Sequence, residues 1–90
     1  MILTVHYSNQ FKKDLKKAAK QRKNIEQLNK LVNQLQNNVQ LETKYKDHAL
    51  KGNYSKHREC HIEPDWLLIY CIIGNELVLV RTGSHSDLFR

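Results

Sequence analysis

The stretch Arg58-Glu59-Cys60-His61-Ile62-Glu63-Pro64-Asp65 sets Glu59, His61, Glu63 and Asp65 on alternate positions, directly before the apolar run Trp66–Tyr70. On a strand, residues two apart share a face and lie roughly 6.6–7 Å apart. His57, Glu59 and His61 therefore project together, while Arg58, Cys60 and Ile62 point the other way. Cys60 and Ile62 suit a core. Histidine exchanges its proton near neutrality, and a carboxylate beside it selects the tautomer. Imidazoles and carboxylates on an open face suit RNA cleavage. One group takes the 2′-OH proton, a cation steadies the charged phosphorane, and another group protonates the leaving 5′-oxygen. A surface histidine with no task is the competing reading. A shared metal ion is disfavoured: His57 and His61, four apart on a strand, stand about 13 Å from each other.

The elements that must position these groups are legible in outline. Residues 2–6, ILTVH, read as a short strand ending near Tyr7. Ser8 reads as a helix N-cap, and Phe11, Leu15, Ala18 and Ala19 recur at helical spacing. Asn24 restarts the pattern, with Gln27 completing a capping box, and Ile25, Leu28, Leu31, Val32 and Leu35 form an apolar stripe to about Asn37. Residues 38–56 have no sustained period, and Gly52-Asn53 supplies a turn. Strands are expected at His57–Ile62, Trp66–Ile73 and Glu76–Thr82, the last two joined by a hairpin at Gly74-Asn75. The expected fold class is α+β in the order β-α-α-β-β-β. A helical hairpin packs on one face of a small, mainly antiparallel sheet and leaves the other face partly open.

Ninety residues make a single domain, 1–90, with one modest core and little room for an enclosed cavity. Fifteen Lys and Arg against nine Asp and Glu give a net charge of +6, which favours a polyanionic partner. Lys12, Lys13, Lys16, Lys17, Lys20, Arg22 and Lys23 crowd the polar face of the first helix, with Asp14 the only acid among them. No apolar run approaches the roughly 20 residues of a membrane span, and residues 1–5 lack a signal core. Cys60 and Cys71 match no metal motif. The expectation is a cytoplasmic protein with no membrane contact and no cofactor, its thiols reduced and mostly buried.

Three blocks carry a resemblance: YKDHALKG (Tyr45–Gly52), RECHIEPDWLLIY (Arg58–Tyr70) and RTGSHSDLF (Arg81–Phe89). Together they resemble the YafQ toxins of the RelE/ParE superfamily of bacterial toxin–antitoxin systems. The resemblance implies a RelE-like fold and a ribosome-dependent mRNA endonuclease that cuts in the A site without a metal. It implies a catalytic set of His48, Glu59, His61, Asp65 and His85, without assigning base and acid among the histidines. Where this chain has Glu59, some relatives carry Asp. Arg81 would steady the phosphate with Lys51 nearby in the substrate path, and Phe89 would stack on a base. Lys12, Lys13, Lys16 and Lys17 would hold ribosomal RNA. The implied partners are a cognate antitoxin, the ribosome and mRNA, with operator DNA met only through the antitoxin complex. The competing classes are a non-catalytic ParE-like or nucleic-acid-binding toxin on the same fold, and a ribosome-free ribonuclease.

Overall fold

The computed structural model describes residues 2–89; Met1 and Arg90, the ends of the expected domain, lie outside the described residues. Strand β1 (Thr4–Tyr7) leads into helices α1 (Asn9–Lys20) and α2 (Ile25–Gln36). Strands β2 (His48–Ala49), β3 (Arg58–Glu63), β4 (Trp66–Ile73) and β5 (Glu76–Gly83) follow, and helix α3 (His85–Leu88) closes the chain. The five strands form one sheet in the order β1-β5-β4-β3-β2. β1 runs parallel to β5, and the other pairs are antiparallel.

The local signals account for the helices. Ser8 Oγ accepts from the Phe11 N–H at 2.9 Å and donates to the Val80 carbonyl at 2.7 Å. One hydroxyl thus caps α1 and ties it to β5. Such a cap stabilises by about 1 kcal/mol. α1 ends at Lys20 because Arg22 turns left-handed at φ 59°. Asn24 caps α2 by accepting from the Gln27 N–H at 3.1 Å. The expected capping box is only half present, because the Gln27 side chain donates to Tyr45 Oη at 2.8 Å.

Phe11, Ala18, Leu28, Leu31 and Leu35 from the helices meet Cys60, Ile62, Trp66, Leu68, Tyr70, Leu77 and Leu79 from the sheet in the main core. The opposite face is less open than the sequence suggests. Leu67, Ile69 and Leu88 form a second, smaller core with Leu50, Tyr54 and Val80 packed on it. β4 is therefore buried on both faces, which explains its unbroken apolar run. β2 and α3, absent from the sequence reading, are too short to show a period. Two bulges shift the register, one in β3 between His61 and Glu63 and one opposite the Ile69/Tyr70 step. Burial pushes the Cys60 thiol up to about 12 and also raises that of Cys71, which disfavours the thiolate at both.

Candidate active site

β2 is two residues long, but its pairing sets His48 directly opposite Glu59. His61 lies two further along β3 on the same side. Glu59 Oε1 stands 3.5 Å from His48 Nε2 and 3.5 Å from His61 Nε2. Those separations are long for hydrogen bonds, as catalytic contacts often are before substrate arrives. The Glu59 side chain is almost fully buried, and its Oε2 has no hydrogen-bond partner among the described residues.

The far end of the row comes from the β3–β4 turn and α3. Asp65 Oδ1 accepts from His85 Nδ1 at 2.7 Å and from the His85 backbone N–H at 2.9 Å. The backbone bond first, then the imidazole, holds the Asp65 carboxyl below the usual aspartate range. α3 is pinned by a capping box between Ser84 and Asp87. The His61 ring centroid lies 5.5 Å from that of His85 and 6.3 Å from that of His48. Three imidazoles and two carboxylates thus form one continuous row drawn from β2, β3, the turn and α3. His48 Nδ1 contacts the Lys46 carbonyl and His85 Nδ1 contacts Asp65. In both rings Nδ1 is engaged by a carbonyl or carboxylate oxygen, so proton exchange falls to the Nε2 atoms, that of His48 facing Glu59.

The row rests on a support that the sequence reading passed over. Asp47 Oδ1 accepts from Tyr70 Oη at 2.7 Å and from Arg58 Nε at 3.2 Å. Burial and the Asp47 carboxylate push the Tyr70 phenol above its ordinary range. Lys46, next in the chain, holds a left-handed φ of 50°, which turns the backbone into β2.

The other expected site residues are dispersed. Arg81 is bidentate on Asp14, with Nε–Oδ2 at 2.8 Å and Nη2–Oδ1 at 3.2 Å, and Asp14 also accepts from the Thr82 N–H. Asp14 therefore serves β5 and not the lysines beside it. Phe89 is 42% exposed, its ring edge-on to Tyr54 at 5.8 Å. Lys51 is exposed just before Gly52. Lys12, Lys13, Lys16 and Lys17 are all exposed on α1, and Lys17 Nζ lies 3.2 Å from Asp87 Oδ1. His57 precedes β3 and packs against Tyr54, outside the row. Trp66 is a core residue, 1% exposed.

The family model described as bacterial toxin of type II toxin–antitoxin system, YafQ, matches residues 3–90. The chain belongs to the YafQ family. It is similar to the mRNA interferase toxin YafQ of Escherichia coli strain K12, at 43% identity over 86 residues and 94% of each chain. It is also similar to a chain of the E. coli DinJ–YafQ toxin–antitoxin complex, at 41% identity and a TM-score of 0.92 over 100% of both chains. A metal-bound toxin from Helicobacter pylori is similar at 48% identity and a TM-score of 0.92, over 98% of this chain and 100% of that one. Among the described residues of the present chain, no group of three or more His, Cys, Asp or Glu is placed to hold a metal ion.

Within this YafQ fold, two supporting acids were missed from sequence. Asp47 had a signal only in strand parity: Arg58 leaves β3 on the same side as Cys60 and Ile62, although its side chain stays 43% exposed. Asp14 had none, because it sits in a lysine run and its partner is 67 residues away.

Proposed function

We propose that this toxin is a ribosome-dependent endoribonuclease that cuts mRNA in the A site by acid–base catalysis with 2′-OH attack. Cleavage of mRNA is the activity for which its E. coli relative is named. The observation that carries the mechanism is the continuous row of His48, Glu59, His61, Asp65 and His85. A protein that only bound its target would have no chemical need of it. One imidazole takes the 2′-OH proton as the oxygen attacks phosphorus. The P–O5′ bond breaks, and a second imidazole gives its proton to the departing oxygen. The products are a 2′,3′-cyclic phosphate and a 5′-hydroxyl end. His48 and His85, at the two ends of the row, carry these transfers. Glu59 orients His48 and His61, and Asp65 orients His85. Arg81 keeps N–H groups beyond the two given to Asp14 and, with Lys51, supplies positive charge to the phosphate. Phe89 stacks on a splayed base.

The exposed lysines of α1 hold ribosomal RNA phosphates. A cognate antitoxin silences the toxin; the E. coli relative is found with DinJ in a toxin–antitoxin complex. The antitoxin's acidic segment meets the positive field of this chain, and operator DNA is met only through that complex.

The test is cleavage of ribosome-bound mRNA by purified protein, with 5′-hydroxyl ends mapped. His48→Ala and His85→Ala should each lose about 10²–10⁴-fold while folding normally. Either folded variant cutting at near wild-type rate would remove that residue from the chemistry. Growth arrest by wild type without new RNA ends would favour the ParE-like, non-catalytic reading, and cuts in untranslated RNA would favour a free ribonuclease.

A further inference from the structure

The row does not end in bulk solvent on its α2 side. A cavity of about 610 Å³ opens there, and its lining includes His61 and His85 themselves with Gln27, Tyr45, Ile62 and Pro64. We propose that this cavity receives the nucleobase adjoining the scissile phosphate, and that Gln27 and Tyr45 read that base's hydrogen-bonding edge. The inference rests on the reading of the chain as an RNA-cutting enzyme and names the part of the site that confers nucleotide preference.

Four observations point to this occupant. The cavity shares two walls with the row, so a base seated in it leaves its own phosphate beside the imidazoles. The volume lies in the range of small-molecule sites, which are mostly apolar with a few placed polar groups. Here Ile62, Pro64 and the Tyr45 ring supply the apolar surface. The polar groups are already organised: Gln27 Nε2 donates to Tyr45 Oη at 2.8 Å. That bond leaves the amide carbonyl, the second amide hydrogen and the phenolic hydrogen for a ligand. A glutamine amide matches a base edge with one donor and one acceptor. Finally, Lys46 and Glu63 also line the cavity, where the ammonium can meet a nucleotide's phosphate and the carboxylate can accept from an exocyclic amine. Lys44 Nζ lies 5.1 Å from the Tyr45 ring centroid. That face of the ring is thus covered, and recognition falls to the edges.

The Gln27 side chain is the telling feature. Its position, three residues after the Asn24 cap, would let it close the capping box on the backbone. It turns to Tyr45 instead, at the wall of the cavity.

The experiment uses the full chain and ribosomes programmed with messages that vary at each nucleotide around the cut. Gln27→Leu removes the amide at constant bulk, and Tyr45→Phe removes only the hydroxyl. Each variant should still cut, but lose discrimination at one nucleotide position by about 5- to 150-fold. Tyr45→Phe gives the same readout should Gln27→Leu fail to fold. Folded variants with wild-type rates and wild-type preference at every position would overturn the subsite and leave the ribonuclease reading standing. Unchanged preference with weakened antitoxin binding would assign the cavity to the antitoxin instead. A wild-type chain that cuts no message would overturn both readings.

Discussion

At the residue scale the decisive side chain is Glu59. It is 4% exposed, and one carboxylate oxygen has no partner among the described residues. An unsatisfied buried oxygen costs about 1–3 kcal/mol. The fold therefore carries this group at a loss, which fits a functional position better than a structural one. Glu59→Leu fills the same space beside Ile69, its neighbour across β3 and β4. We expect a gain of about 1–2 kcal/mol in urea unfolding together with a loss of at least about 10²-fold in cleavage. A variant that is less stable than wild type would show that the carboxylate holds the fold.

At the element scale the site depends on two short pieces, β2 and α3, neither of which can stand alone. α3 has four residues. It is held by the Ser84–Asp87 capping box, by Asp65 at the His85 N–H, by Lys17 on Asp87 and by the burial of Leu88. Backbone hydrogen bonding lowers the carboxyl pKa of both Asp65 and Asp87. A lowered folded-state pKa adds stability above the unfolded value of about 3.9, and that stability is lost as pH falls through the folded value. The double variant Asp65→Asn/Asp87→Asn should therefore lose less stability than wild type when urea melts at pH 6 are compared with melts below roughly pH 4. Parallel curves would dismiss this linkage. β2 depends on Asp47, which joins Tyr70 and Arg58. Asp47→Ala leaves the Tyr70 hydroxyl and Arg58 without their acceptor. It should cost about 1–3 kcal/mol and lower cleavage without touching the row. Tyr70→Phe should cost only about 0.5–1.5 kcal/mol. Equal costs for the two would mean that the Arg58 bond contributes nothing.

At the scale of the whole molecule, the lysine-rich face of α1 and the catalytic row belong to different elements. Lys12, Lys13 and Lys16 lie exposed along α1, while the row is carried by β2, β3, the β3–β4 turn and α3. Docking and cleavage should therefore separate by mutation. Lys17 is engaged by Asp87, so Lys12, Lys13 and Lys16 are the residues to change without loosening α3. Replacing these three by Gln should flatten the salt dependence of ribosome binding, lowering the slope of log K against log[salt] by about 0.7–0.9 per lost phosphate contact. Cleavage at saturating ribosome should change little. An unchanged slope would leave these lysines as a solvated face. Among the described residues no helix is long and apolar enough to cross a membrane.

The sequence by itself determined the first two helices, the three long strands, the Gly74-Asn75 hairpin and the chemical character of the Glu59–Asp65 stretch. These follow from short-range physics: helical or alternating periodicity, caps, and a turn dipeptide beside the residues it serves. It also placed Cys60 and Ile62 on the core side of β3, because strand parity is local. Only the tertiary structure decided that His48, Glu59, His61, Asp65 and His85 form one row. His48 joins it through a two-residue strand and His85 through a four-residue helix, and elements that short leave no pattern to read. It alone drew Arg81 to Asp14, 67 residues away, and turned Gln27 from its helix cap to Tyr45. In each case the competing partners are polar groups of similar strength, and the choice between them rests on which one the packed sheet and helices bring within about 3 Å.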